Sequence, residues 1–135
     1  MKRLLVLGLM ALPFGAEADV WTFETPSENF QCVVGEDFGG PDLTCTIIER
    51  QGPPALPRPA GCGSDWGHVF FMGNRGPVSM ECKPLDRSKG GFSRAEYGVR
   101  GEFGGFVCQS EKTGLECRNE DGHGFFLSRR SQRVF

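Results

Sequence analysis

The sequence has only two histidines, no long apolar run beyond its first residues and no excess of positive charge. Each shortage excludes something. With His68 and His123 as the only imidazoles, the supply of side chains for acid–base work near neutral pH is thin. Fifteen Lys and Arg against seventeen Asp and Glu give a formal charge of −2, with both signs scattered along the chain, which is not a nucleic-acid footprint. No stretch after Phe14 approaches the roughly 20 apolar residues of a spanning helix, so no membrane span is expected. The glycine-rich run from Gly101 to Gly105 has no following Lys-Ser/Thr, and Glu36 to Asp42 lacks the oxygen register of a calcium loop.

The first residues have a different character. Met1, Lys2 and Arg3 make a cationic start, Leu4 to Phe14 is apolar, and Ala16-Glu17-Ala18 fits the small-x-small pattern of signal peptidase. Residues 1–18 are expected to be a cleaved signal peptide, and 19–135 a single soluble domain, periplasmic or secreted. Glycine makes up 18 of those 117 residues, about twice the roughly 7% of average usage, which argues against long helices. All six cysteines fall in this part. In an oxidising compartment an even number of cysteines is a disulfide framework before it is a set of thiols or metal ligands.

The cysteines have a local order. Phe30-Gln31-Cys32 followed by Leu43-Thr44-Cys45 is echoed by Phe106-Val107-Cys108 followed by Leu115-Glu116-Cys117. Both stretches read F-x-C, turn, L-x-C. Residues at i and i+2 of a strand share a face, so each stretch is expected to be a hairpin with its two cysteines on one side. The connectors, 35–42 and 111–114, are rich in turn residues. Of the 15 possible pairings, this order favours Cys32 with Cys45 and Cys108 with Cys117, leaving Cys62 with Cys82.

The remaining apolar segments are short: Val20 to Phe23, Ile47-Ile48, Val69 to Met72, Val78 to Met80 and Phe125 to Leu127, separated by glycine or proline clusters. That punctuation predicts an all-β fold, a small antiparallel barrel or sandwich of about seven to eight strands, with phenylalanine dominating the core. Gln51 to Gly61 holds Pro53, Pro54, Pro57 and Pro59 and is expected to be an extended crossover, since proline supplies no ladder donor. The one helix candidate lies within Ser88 to Tyr97.

The spacing as a whole resembles a known family. Phe23-x-Thr25-Pro26-Ser27-x-Asn29-Phe30-x-Cys32, Cys45-x-Ile47, Cys62-x-x-x-Trp66-Gly67, Tyr97-Gly98, Cys108-x-Ser110-x-x-x-Gly114-Leu115-x-Cys117-x-Asn119 and Gly122-His123-Gly124-Phe125-x-Leu127-Ser128-Arg129 are similar to a family of small exported, six-cysteine bacterial proteins of unknown function. The resemblance implies export, paired cysteines and a single domain, and carries over no functional residues. One departure is Glu28, where members of that family often have glycine.

Candidate chemistry is sparse. A triad of Ser128, His123 and Asp65 can be written down, but no Gly-x-Ser-x-Gly elbow accompanies it. A metal held by His68, His123 and a carboxylate is conceivable, although disulfides would consume the cysteines that a structural zinc site normally takes. No catalytic residue, metal or cofactor is expected. Trp66 and His68, four and six residues past Cys62, form a candidate ligand surface, with His123 and the arginines Arg129, Arg130 and Arg133 as further candidates. For Trp66 the structural alternative is packing on the Cys62–Cys82 bridge, and for the arginines a charge-protected edge strand. The leading expectation is a non-catalytic binding or structural protein of the bacterial envelope, with an envelope or extracellular partner. The alternatives are a small exported hydrolase using His68 or His123, and a periplasmic inhibitor of lysozyme or proteases.

Each short loop closed by a disulfide contributes about 3 kcal/mol, and a domain's net stability is only about 5–15 kcal/mol. Complete reduction at 37 °C is therefore expected to unfold the protein or nearly so. Melting curves of the oxidised and fully reduced forms check this, and superimposable curves would contradict it.

Overall fold

The computed structural model describes residues 21–37, 39–86 and 92–135. The expected signal segment, and part of the Ser88 to Tyr97 helix candidate, lie outside the described residues. Eleven strands follow one another: β1 Trp21–Glu24, β2 Phe30–Asp37, β3 Gly40–Ile47, β4 Val69–Gly73, β5 Ser79–Glu81, β6 Ser93–Arg94, β7 Arg100–Phe103, β8 Phe106–Glu111, β9 Gly114–Arg118, β10 Gly124–Leu127 and β11 Gln132–Val134. They form a six-stranded sheet in the order β5-β4-β3-β2-β1-β6 and a five-stranded sheet in the order β11-β10-β9-β8-β7. Among the described residues there is no helix, and the candidate's Ser93 and Arg94 are a strand.

The all-β expectation holds. Of the two architectures it left open, the structure has two packed sheets with separate edges and not a barrel, and the strand number is corrected to eleven from seven or eight. β6 and β7 have no apolar run to mark them: β6 is two exposed residues, and β7 alternates exposed with half-buried ones. Both are edge strands, held by backbone hydrogen bonds that side-chain pattern does not report. The connector expected over 35–42 is also largely strand, since the β2/β3 ladder runs on to Asp37 opposite Gly40. Pro41 fits because it lies beyond Asp42, where pairing with β4 begins.

The repeated hairpins are β2–β3 at the centre of one sheet and β8–β9 in the other. Cys32 stands directly opposite Cys45 and Cys108 opposite Cys117, each pair with Cα atoms 4.1 Å apart. That is the close spacing of a non-hydrogen-bonded antiparallel pair. The third disulfide joins Cys62 to Cys82. Each hairpin disulfide belongs to a row that crosses its sheet. In the first the row runs Phe23, Cys32, Cys45, Phe70, Met80, and in the second Gly101, Cys108, Cys117, Phe125, Val134. The side chains of these rows face one shared core, where Phe70 and Phe125 meet with ring centroids 5.6 Å apart. Phe23 stacks on Phe103 across the other side of the core at 4.6 Å. Such aromatic pairs add about 0.5–1.5 kcal/mol beyond the area they bury. The neighbour of Phe125 on the outer face, Phe126, is covered by the Arg133 guanidinium, 5.7 Å from its ring.

The proline-rich crossover carries no strand. It is strapped to the second sheet by Gln51 N–H donating to Arg129 O at 2.6 Å and Ala55 N–H donating to Gln132 Oε1 at 2.8 Å. Gly52 is required at this strap, because a Cβ there would collide with the Arg130 carbonyl.

The turn between β1 and β2 explains the departure at Glu28. Glu28 N–H donates to Thr25 O at 2.8 Å, and Glu28 has φ 60°, the one non-glycine residue with positive φ among those described. The left-handed region costs an L-residue about 1–2 kcal/mol, against about 0.5–1 kcal/mol for the greater freedom that glycine loses on folding. Glu28→Gly is expected to raise stability by about 0.5–1 kcal/mol. Urea denaturation reads this as a higher midpoint with an unchanged slope.

Candidate functional site

Two buried asparagines organise the ends of the molecule. Asn29, 4% exposed, accepts from Glu49 N–H at 2.7 Å through Oδ1 and donates to Glu49 O at 3.0 Å through Nδ2. Its side chain thus replaces a strand partner for the residue just past β3, while its own carbonyl accepts from Ile48 N–H at 2.9 Å. Asn119, 7% exposed, accepts from Asp121 N–H and His123 N–H, each at 3.0 Å, and donates to Gly73 O at 3.1 Å and Gly76 O at 2.8 Å. One side chain therefore closes the β9–β10 turn and docks it on the β4–β5 turn of the opposite sheet. Arg75 reinforces this contact from outside, 3.3 Å from Glu120 and 3.6 Å from Asp121. Pairs this exposed contribute little, so the contact rests on the asparagine together with Glu120 N–H donating to Asn74 O at 3.0 Å and Gly76 N–H donating to Asp121 Oδ2 at 2.7 Å.

The pin at Asn29 sits beside two adjoining grooves that share Arg129. One, of about 400 Å³, is lined by Ser27, Phe30, Tyr97, Lys112, Arg129 and Arg130, among others. The other, of about 460 Å³, is lined by residues 48–52, His68 and Arg129. Arg129 and Arg130 occupy the β10–β11 turn, which Ser128 closes: its Oγ donates to Ser131 O and accepts from Ser131 N–H, both at 3.0 Å. Arg129 lies 3.7 Å from Glu49, with both side chains more than half exposed, so solvent screens the pair and the guanidinium remains available. Neither Lys112 nor Arg130 has an ion-pair partner among the described residues. Three cations from two hairpins, with Glu111 as the acidic residue of the first groove, make a local positive site on a chain of formal charge −2.

The other candidates separate. Trp66 is 6% exposed and belongs to the core. Its indole N–H donates to Leu56 O at 2.9 Å, tying down the crossover, so burial removes it from any recognition surface. Cys62 packs partly buried against the same core. Gly67, with φ +87°, lets the Arg50 guanidinium lie across the chain, where it donates to Trp66 O at 2.7 Å and Gly52 O at 2.9 Å.

His68 does line the second groove, with Nδ1 2.7 Å from Ile47 O. A carbonyl only accepts, so this nitrogen holds the proton, and in the neutral ring Nε2 is the one with the lone pair. His123 is elsewhere, its Nδ1 3.3 Å from Phe135 O. It is fixed by the Asn119 pin at the Gly73 end of β4, five residues from His68, or roughly 16 Å along a strand. Ser128 and His123 flank β10 at a similar separation, and Asp65 instead accepts from Leu85 N–H at 2.8 Å. The Ser128, His123 and Asp65 set therefore does not assemble. Among the described residues no three of His, Cys, Asp and Glu group as metal ligands. Arg133 faces outward with Arg118 around the Phe135 ring, at 5.6 and 4.8 Å, apart from the Arg129–Arg130 turn.

Sequence reasoning missed Lys112 and Tyr97. Both had turn residues around them, but nothing local placed them beside residues 128–130. The pattern had included Asn29 and Asn119 without a role for either.

Fold and site together define a disulfide-stapled, two-sheet β domain with a cationic groove at one hairpin turn. The chain belongs to a family of unknown function, DUF6636, whose model matches residues 4–135. No curated protein and no solved structure matches it. The three disulfides suit an extracellular or otherwise oxidising environment. Among the described residues no helix is long and apolar enough to cross a membrane.

Asn119→Ala removes four hydrogen bonds and leaves buried main-chain groups unpaired. It is expected to cost about 2–4 kcal/mol, far more than Arg75→Ala, which should stay within about 0.5 kcal/mol. Chemical denaturation of both variants checks the ranking.

Proposed function

We propose that this protein is an exported, non-catalytic binding domain of the bacterial envelope, and that its ligand is an acidic polymer lying along the adjoining grooves at the Arg129–Arg130 turn. The observation that carries this reading is the convergence of Lys112, Arg129 and Arg130 on one groove in a chain with slightly more acidic than basic residues. A general excess of positive charge cannot account for such a cluster.

The rest of the fold suits the role. The turn is held by Ser128 and by the crossover strap, so the arginine backbone is ordered before a ligand arrives and less freedom is lost on binding. Both grooves are open; the one shared by residues 48–52, His68 and Arg129 is mostly polar, and the one that holds the three cations sets them around a more apolar floor that includes Phe30 and Tyr97. The separation of His68 from His123 and of Ser128 from His123, with Asp65 instead accepting from Leu85 N–H, supports binding over hydrolysis, because the triad of Ser128, His123 and Asp65 does not assemble among the described residues.

Retention of the oxidised protein from Asp19 onward on immobilised polygalacturonate, with neutral dextran as control, tests the proposal. The expected result is retention by the acidic polymer alone, weakening as salt rises. Each of Lys112→Ala, Arg129→Ala and Arg130→Ala should lower affinity by roughly 1 kcal/mol, about fivefold. Equal retention on both matrices, or a triple variant that binds like the wild type, would overturn it.

A further inference from the structure

A second site lies where the two sheets part at their edges. β6 ends the first sheet and β7 the second, and a pocket of about 200 Å³ opens between them. Its walls are mostly apolar, with Phe23, Ala95, Val99, Phe103, Cys108 and Leu115, while Arg94 and Glu96 add charge and Gly101 and Ser110 complete the lining. Gly101 keeps the space open, because a Cβ there would collide with the Phe103 ring, which lies back along its own strand to stack on Phe23. Val99 stands at the rim, 57% exposed and one of two exposed large hydrophobic residues among those described.

Ser110 is the anomaly. It is 2% exposed, and its Oγ has no hydrogen-bond partner. Phe106, Cys108 and Ser110 alternate along β8 and are all buried, so Ser110 shares the inner face of the half-cystine Cys108. Its register partner, Leu115, also lines the pocket. A hydroxyl left unpaired in an apolar wall costs stability that alanine in its place would not. Buried polar groups without partners are uncommon in folded proteins, and each calls for an explanation.

We infer that this pocket is a binding site for a small single-ring aromatic molecule carrying one hydroxyl, a phenol, whose ring lies against Phe103 and Leu115 and whose hydroxyl pairs with Ser110 Oγ. The volume sets the size, since a cavity of about 150 Å³ accepts benzene, and the space here leaves room for one polar substituent. Arg94 and Glu96 also line the pocket, but Ser110 is its buried, unpartnered polar group and sets the chemistry: its hydroxyl both donates and accepts, and so complements another hydroxyl. This site is independent of the cationic grooves.

The test is a titration of the ¹⁵N-labelled oxidised domain with phenol and with toluene, the same ring without the hydroxyl, followed by amide shifts. The expected result is saturable shifts at Val99, Gly101, Phe103, Cys108 and Ser110, with phenol about tenfold tighter than toluene. Ser110→Ala, which removes an unpaired buried group and so keeps the fold, should abolish that preference while toluene binds as before. Val99→Trp at the exposed rim should weaken both probes by closing the mouth. The inference fails if neither probe produces saturable shifts at these amides. It fails equally if phenol and toluene bind alike to the wild type, or if Ser110→Ala retains the phenol preference.

Discussion

The structure depends on two pairs of half-cystines standing directly opposite one another on the inner faces of two sheets. A disulfide between facing residues of antiparallel strands sets the register of that hairpin, and with it the face on which every other side chain falls. With Cys32 locked to Cys45, Phe30, Val34, Leu43 and Ile47 are all turned inward, and all are buried. The same holds for Phe106 and Leu115 around Cys108 and Cys117. The outer strands then extend the two rows, and Phe70 and Phe125 bring them together. Phenylalanine meets this demand well, since few other side chains fill a space between sheets from so few positions.

A fold of short strands and glycine-rich turns leaves many main-chain groups without ladder partners. Asparagine side chains supply the missing donors and acceptors at two places where burial would make an unpaired group costly. Asn29 completes the sheet next to Glu49, and Asn119 joins the β9–β10 turn to the opposite sheet. The crossover is tied down in a similar way by the Trp66 indole and by Gln132, whose amide accepts from Ala55 and donates to Gly67. These polar ties place the cationic turn, because the Arg129 carbonyl is one of the groups that receive the crossover.

The candidate site was legible only in part. The run of arginines near the end was visible as charge, but the turn that Ser128 closes on Ser131 was not, and the segment read as an edge strand. That Arg133 would leave this cluster for the rings of Phe126 and Phe135 follows from alternation along β11, but its aromatic partners depend on the neighbouring strand. Trp66 was ambiguous: a large aromatic beside a cysteine suits a recognition surface as well as a core, and its 6% exposure agrees with the packing alternative. Ser110 was open to a sequence argument, since period-two alternation from Cys108 turns it inward. That its hydroxyl finds no partner there could be learned only from the packed structure.

By itself the sequence determined the class of fold, the two hairpins and the extended crossover. All of these are local, resting on alternation, turn chemistry and the short reach of a disulfide between neighbouring strands. The tertiary structure decided that the sheets stay open as two layers, that β6 and β7 form edges, that His68 and His123 stand apart, and that Lys112 meets Arg129 and Arg130. Those outcomes depend on how separate hairpins pack across a shared core, a relation between residues distant in the chain that no local pattern encodes.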